Sequence, residues 1–366
     1  DYGTCFQFGH PTAFKAASRI VAAMPKPFSN VFFSNSGSEA VDTALKIALA
    51  YHHVRGEGTR RVLIGRERGY NGVGFGGISV GGIPYNRATF GQLLPNVDHL
   101  PHTQDLAHTA FSRGQPDWGI HLADELERLI YLHDASNVAA VIVEPVAGST
   151  GVLPPPKGYL KRIGEICKKH GVLMIMDEVV TGFGRFGAIS SAEYFGVQPD
   201  IITMAKGLTN GTVPMGATFV TKGVYDAFMN GPENVIELMH GYTYSGHPLA
   251  AAAVIGTMDT IQDHKIWENA KKMEKPLEDA VHTLKGLPRV VDIRNCGVLA
   301  GIQLEEKSKD DPAGYSRECS YELFRRGVMV RYTGPNLYLS PPLIVNENHI
   351  DQIITKVGEV IRDVCK

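Results

Sequence analysis

Val172-Leu-Met-Ile-Met-Asp-Glu178 places two acids at the end of an unbroken aliphatic run. Continuous runs of this kind, as opposed to alternating ones, mark strands buried on both faces, the condition of a parallel sheet covered by helices. Two other stretches read the same way. Val138-Ala-Ala-Val-Ile-Val143 leads into Glu144, and Ile201-Ile-Thr-Met204 leads through Ala205 into Lys206. Helical segments alternate with such runs from residue 12 to about 260, which predicts a parallel α/β sheet. Open sheets of this class bind ligands beyond the carboxyl ends of their strands. Glu144, Asp177 and Lys206 are therefore expected to converge although they are far apart in the chain.

Past the small-residue stretch 248–257 comes a polar helix-like segment, 261–284, interrupted by Pro276. Shorter strand candidates at 290–293, 299–304 and 328–331 lead to a closing helix over 348–365, the pattern of a smaller α+β domain. The division is expected near residue 255, giving a large domain 1–255 and a small domain 256–366. The sequence opens on Asp1-Tyr-Gly-Thr4 without an initiator methionine, so residue 1 is read as an interior position with an upstream segment absent.

The 366 residues are 43% hydrophobic and 20% charged, within the range of globular proteins. With 36 basic against 38 acidic residues, the chain carries no footprint for nucleic acid or an anionic membrane, which points to a small ligand. The longest apolar runs are far shorter than a bilayer requires. Five scattered cysteines, with no C-x-x-C pair, suggest neither a disulfide framework nor a zinc site and fit a reducing, cytoplasmic setting.

Ser36-Gly-Ser-Glu39 stands between a strand candidate at 31–33 and a helix whose apolar positions Val41, Ala44, Leu45, Ala48 and Tyr51 follow helical spacing. It reads as a capping box with Ser36 at the N-cap, or as an anion site in which Gly37 lets a phosphate approach the free N–H groups of the first turn. Gly72-Val-Gly-Phe-Gly-Gly77 matches a dinucleotide fingerprint in letters only. Residues 65–69 separate it from the strand candidate 62–64, and no helical pattern follows, so a nicotinamide cofactor is rejected. Asp177 and Glu178, at the end of a doubly buried strand, are expected to need a cation, and a protonated pyridine nitrogen would be that cation. Lys206, in the apolar setting Met204-Ala-Lys-Gly-Leu208, would have its pKa lowered by burial and become a competent Schiff-base amine.

Taken together, the residues resemble the class III, or ω-, aminotransferases of the aspartate-aminotransferase superfold, and within them the β-alanine:pyruvate enzymes. The resemblance rests on Asn35-Ser-Gly-Ser-Glu-Ala40, Gly69-Tyr-Asn-Gly72, Val143-Glu-Pro145, Asp177-Glu-Val-Val-Thr-Gly-Phe-Gly-Arg185, Ala205-Lys-Gly207, His240-Gly-Tyr-Thr-Tyr-Ser245 and Arg331-Tyr-Thr-Gly334, in that order. It implies fold type I, a mostly parallel seven-stranded sheet plus a smaller α+β domain, with pyridoxal 5'-phosphate as cofactor. Ser36, Gly37 and Ser38 would hold the phosphate, Tyr70 and Val179 would sandwich the ring, and Asp177 would pair with its nitrogen. Lys206 would hold the aldehyde and then move the proton, Glu144 would lie near the cofactor, and Thr243 would reach the phosphate of a neighbouring subunit. An obligate homodimer with shared active sites is implied, with a tetramer left open. No metal is implied.

Two departures bear on the substrate. Relatives that use glutamate carry an arginine and a glutamate where this chain has Tyr338 and Ser149. Arg331 instead matches the arginine with which the pyruvate-using subgroup binds a carboxylate, a task suited to a guanidinium fork. The implied reaction passes an amino group from an ω-amino acid or amine to the 2-oxo acid pyruvate, giving L-alanine and a semialdehyde or ketone, by a ping-pong route through pyridoxamine phosphate. Taurine, a diamine or 4-aminobutyrate as donor, and a mutase, racemase or decarboxylase on the same cofactor, are the alternatives. A third departure is Asn71, where the family commonly has histidine. Asparagine hydrogen-bonds but carries no proton charge.

Overall fold

The computed structural model describes residues 8–366; Asp1 and Cys5 lie outside the described residues. Among the described residues, twelve strands form two sheets. The larger holds β1 (Phe28–Ser34), β2 (Val62–Glu67), β3 (Gly81–Gly82), β4 (Val97–Leu100), β5 (Val138–Val143), β6 (Leu173–Asp177), β7 (Ile201–Met204) and β8 (Gly216–Thr221). The smaller holds β9 (Val290–Asn295), β10 (Ala300–Leu304), β11 (Arg331–Thr333) and β12 (Asn336–Leu339).

The larger sheet runs in the order β1-β8-β7-β6-β5-β2-β3, with β4 also paired to β2. Of its strands only β8 runs against its neighbours, so the sheet is mostly parallel. It has the expected seven strands and, in the two-residue β3, an eighth. Every side chain of β5, β6 and β7 is buried, as the continuous aliphatic runs require. The helix Tyr159–His170, between β5 and β6, buries Leu160, Ile163, Ile166 and Cys167 on one face and ends at Gly171, whose φ of 66° suits glycine. Strands β2, β5, β6 and β7 are adjacent, so their carboxyl ends lie side by side.

Three sequence expectations are corrected. The stretch 248–257 is itself helical and continues as Pro248–Asp263; the break falls at Lys265, with φ 49°, and Pro276 sits inside the next helix, Ile266–His282. An interior proline costs about 3 kcal/mol. Burial of Met273, Leu277 and Val281 offsets it at roughly 2 kcal/mol for each side chain. The strand expected at 328–331 begins only at Arg331, because it pairs as a hairpin with β12 and the turn at Gly334 sets its length. Finally, the glycine-rich segment does contain a helix, Phe75–Val80. Its first turn is already used by the protein, since the Gly77 N–H donates to Asp42 Oδ1 at 2.9 Å.

Ala250, Val254, Met258 and Ile261 pack with the core of the larger sheet, whereas Ala270, Met273 and Leu277 pack with the smaller one. We propose on this basis that the two domains divide at His264–Lys265, about ten residues beyond the expected 255. The cysteines at 167, 296, 319 and 365 are free and buried. Among the described residues no helix is long and apolar enough to cross a membrane.

Candidate active site

The site assembles along the carboxyl edge of β2, β5, β6 and β7. Tyr70 and Asn71 follow β2, Glu144 follows β5, Asp177 ends β6, and Lys206 stands two residues past β7. The register pairs Asp177 with Thr203 across β6 and β7. Asp177 is buried and accepts three hydrogen bonds from neutral donors. Asn71 Nδ2 donates to Oδ2 at 2.8 Å, while the Val179 N–H and Thr203 Oγ1 donate to Oδ1, each at 3.1 Å. Desolvation raises its pKa, and these donors and the charge of Lys206 oppose that rise.

Lys206 has a backbone φ of 42°, a conformation that costs energy in any residue but glycine and that gathers at functional positions. Its ammonium lines a cavity and reaches solvent through it, yet enough protein surrounds it that desolvation lowers its pKa, against the opposing charges of Asp177 and Glu144. The cavity measures about 1310 Å³ and is also lined by Gly148, Ser149, Val180, Arg331 and Tyr338. Arg331 and Tyr338 are directly paired across β11 and β12, which puts both side chains on one face of the smaller sheet. Tyr338 also approaches Gly148, where an added Cβ would stand 3.4 Å from Val180 Cγ1 and 3.7 Å from the Tyr338 hydroxyl.

Glu144 is fully buried and spans two segments. Its Oε1 accepts from the Tyr70 N–H at 2.8 Å and its Oε2 from the Gly148 N–H at 3.1 Å. Desolvation, then the nearby Asp177 charge, pushes its pKa up to about 7. Glu178, beside Asp177 in sequence, is equally buried but turns elsewhere. Thr181 Oγ1, Ser190 Oγ and the Ser191 N–H all donate to it, so it ties a loop together and needs no cation. The expectation that a buried acid here requires a positive partner fails for Glu178 because neutral donors suffice.

Beside Val179 and Ala205, Ser36 caps the helix Gly37–Val54 by accepting from the Glu39 N–H at 3.2 Å, and Glu39 Oε2 accepts from the Asn35 N–H at 2.7 Å. The N-cap half of the capping reading is thus realised, whereas Glu39 reaches the N–H of Asn35 and not that of Ser36. The cap leaves the first-turn N–H groups of Gly37 and Ser38 without intrahelical partners, as in any helix, so an anion site is compatible with it. The Ser38 hydroxyl accepts from the Val73 N–H at 3.0 Å. Gly37 lies so close under Val179 that an added Cβ would meet Val179 Cγ1 at 2.9 Å, and Ala205 Cβ at 3.5 Å. The helix start, Val179 and the segment bearing Lys206 therefore form one corner. Thr243 is exposed and is not among the residues lining the cavity; its loop is held to the same helix by the contact of the buried Thr43 Oγ1 with His240 Nε2 at 2.9 Å.

The donor set fits pyridoxal 5'-phosphate: helix-start N–H groups for a phosphate, a buried carboxylate with lone pairs to spare for a ring N–H, and a lysine of lowered pKa. Two contributors were not assigned a role from sequence. Thr203 carried a signal, as the one hydroxyl in the run Ile201-Ile-Thr-Met204. Asn71 was visible only as a departure from a family pattern, because its contact with Asp177 spans 106 residues.

Residues 3–361 match the family model described as aminotransferase class-III. The chain is 56% identical to an omega-aminotransferase of Caulobacter vibrioides, over 100% of this chain and 83% of that protein. It is 46% identical to a beta-alanine–pyruvate aminotransferase of Pseudomonas aeruginosa, over 100% and 82% respectively. Among solved structures it resembles an amine transaminase from an uncultivated Pseudomonas species in its PLP-bound form, with a TM-score of 0.90 and 34% identity, over 100% of this chain and 84% of that one.

Proposed function

The chain belongs to the class III aminotransferases, and on that premise we propose that it moves the amino group of a β-alanine-like ω-amino acid or amine to pyruvate. The products would be L-alanine and a semialdehyde or ketone. The observation that carries this reading is that Lys206, Arg331 and Tyr338 line one cavity, with the buried Asp177 on the strand next to that of Lys206.

Bound there, pyridoxal 5'-phosphate would supply the electron sink needed when a substrate carbon gives up its proton. Gly37 and Ser38 would hold its phosphate with first-turn N–H groups, and Tyr70 and Val179 would close on the two faces of its ring. Asp177, fixed by Asn71, Val179 and Thr203, would accept the hydrogen bond of the ring nitrogen and keep it protonated. Lys206 would serve first as the attachment point and then, once displaced, as the base that carries the proton between carbon atoms. Its lowered pKa supports that second role, because a base must be free of its proton to accept one. Arg331 would take the substrate carboxylate at the opposite end of the cavity, with Tyr338 beside it.

The exposed apolar side chains Phe75, Tyr85, Val235, Ile236, Met239 and Tyr244 support association of two copies, which would bring Thr243 to the neighbouring site. A cytoplasmic homodimer is the form we propose.

A half-reaction screen tests the reading. The cofactor-loaded protein is mixed with β-alanine, 4-aminobutyrate, taurine, ornithine or 1-phenylethylamine, and the loss of the cofactor's visible absorbance is followed. β-Alanine is expected to react with the highest kcat/KM. Arg331→Ala is expected to raise KM for β-alanine and pyruvate at least about tenfold while changing that for 1-phenylethylamine little. Equal losses on all three refute the placement of the carboxylate, and a faster reaction with another donor reassigns the substrate.

A further inference from the structure

Four residues lie in one transverse row across the smaller sheet. Arg294 on β9 pairs with Gly301 on β10, Gly301 with Tyr338 on β12, and Tyr338 with Arg331 on β11. Residues directly opposite in antiparallel strands point to the same face, so Arg294, Tyr338 and Arg331 share a face with an open slot at Gly301. The slot is filled by backbone from the larger sheet's side: a Cβ at Gly301 would collide with the carbonyl oxygen of Gly151.

The turn that enters the slot is held in an unfavourable shape. Val152 is completely buried with φ 58°, an outlier for a β-branched residue. Such a conformation persists only where its surroundings impose it. Arg294 does so: its Nη2 donates to Gly151 O at 2.8 Å and its Nε to Val152 O at 3.1 Å. The same guanidinium, itself buried, pairs with Asp292 and donates to Gln303 Oε1 at 2.9 Å and to Asn336 Oδ1. Asn336 in turn donates to Thr333 O at 3.2 Å, inside the hairpin that bears Arg331 and Tyr338. At its other end the turn begins at Gly148, whose N–H is held by Glu144.

We propose that Arg294 is a positioning residue for substrate selection: by clamping the Gly151–Val152 turn and Asn336 in one grip, it fixes the distance from Lys206 to Arg331 and Tyr338. It touches neither cofactor nor substrate. The position of the carboxylate-binding end relative to the reacting end is therefore set by a buried cation on the third strand away from Arg331. The inference rests on the reading of Arg331 and Tyr338 as the carboxylate end, and a substrate without a carboxylate is indifferent to it.

The test uses the cofactor-loaded protein and the ratio of KM for β-alanine to KM for 1-phenylethylamine. Arg294→Met and Gly301→Ala, the second leaving the arginine in place and displacing the turn, are expected to raise that ratio about tenfold, the effect of a misplacement of well under about an ångström at one end. Arg294→Lys is expected to recover part of the loss. Urea unfolding of each variant separates this from general weakening, which changes both substrates alike. If Arg331→Ala raises the ratio while Arg294→Met and Gly301→Ala, or Gly301→Ala alone where Arg294→Met does not fold, leave it within about twofold of the parent, the clamp is refuted and the carboxylate reading stands. If Arg331→Ala itself leaves the ratio unchanged, the carboxylate reading is refuted and the clamp with it.

Discussion

At the Asp177 end of the candidate site, each oxygen of the buried carboxylate is held by neutral donors, all from different segments: Asn71 from the loop after β2, Val179 from the loop after β6, and Thr203 from within β7. At the Arg331 end the functional side chain is exposed, on a three-residue strand at the edge of the smaller sheet. The first end is built from buried strand termini that cannot shift without repacking the core; the second hangs on a hairpin tied to the rest through Arg294. On the function proposed above, chemistry that must succeed on every turnover would occupy the rigid end, and the choice of amine and acid the adaptable one. The arrangement suits an enzyme whose two substrates enter the same cavity in turn, one of which need not carry a carboxylate.

The largest break in that comparison comes from removing the group between the two ends. Lys206→Ala is expected to lower the rate of the β-alanine half-reaction by at least about 10⁴-fold, since on the proposed function one amine would both anchor the cofactor and move the proton. Borohydride reduction of the loaded protein, followed by peptide mass spectrometry, should place the label on Lys206 in the parent chain. A parent protein labelled elsewhere, or a variant retaining more than a hundredth of the rate, would sink the assignment.

A smaller effect, confined to the rigid end, is expected from Glu144. Its pKa in the folded protein is about 7, against 4.5 for the free side chain, so the folded state binds the proton more tightly than the unfolded one. The resulting stabilisation is fully present below pH 4.5 and is lost as pH rises through 7. The cofactor-free protein should therefore lose at most about 3 kcal/mol from this group between those pH values. Glu144→Gln should flatten the slope, at the cost of placing an amide hydrogen against one of the two N–H groups that the carboxylate now accepts. Urea unfolding from pH 4.5 to 8 gives both curves, and parallel curves would exclude Glu144 as the group responsible.

The rigid end was also the legible one. Three aliphatic runs, each followed by an ionisable residue, sufficed to place Glu144, Asp177 and Lys206 on one edge, because burial on both faces leaves a continuous apolar run and these runs are too short for helices. Where local pattern and long-range contact disagree, sequence reading falls short. Pro276 reads as a break and sits within a helix. Glu178 reads as an acid in need of a cation but accepts from Ser190 and Ser191, twelve and thirteen residues on. The role of Arg294 is illegible for the same reason: its acceptors at Gly151 and Val152 lie more than 140 residues away, and nothing in Asp292-Ile-Arg294 announces them.

The smallest expected effect sharpens the comparison most, because it asks why neutral donors surround Asp177. Asn71→His keeps a donor near Asp177 Oδ2 but adds a group that titrates near neutrality. The carboxylate at hydrogen-bonding distance favours the charged ring, so the introduced histidine is expected to titrate above its ordinary value of about 6.5. Its contribution to stability would be present below that ordinary value and fade as pH rises through the raised one, changing the free energy of unfolding by only about 1 kcal/mol. Turnover should acquire a new pH-dependent step between about 6 and 8 that the parent lacks, because the charge facing Asp177 now varies over that range. Nitrogen NMR of the imidazole gives its titration directly, alongside the pH profile of kcat. If the ring titrates as expected and the profile still overlays that of the parent chain, the neutrality of Asn71 has no bearing on the rigid end, and its amide matters there for geometry alone.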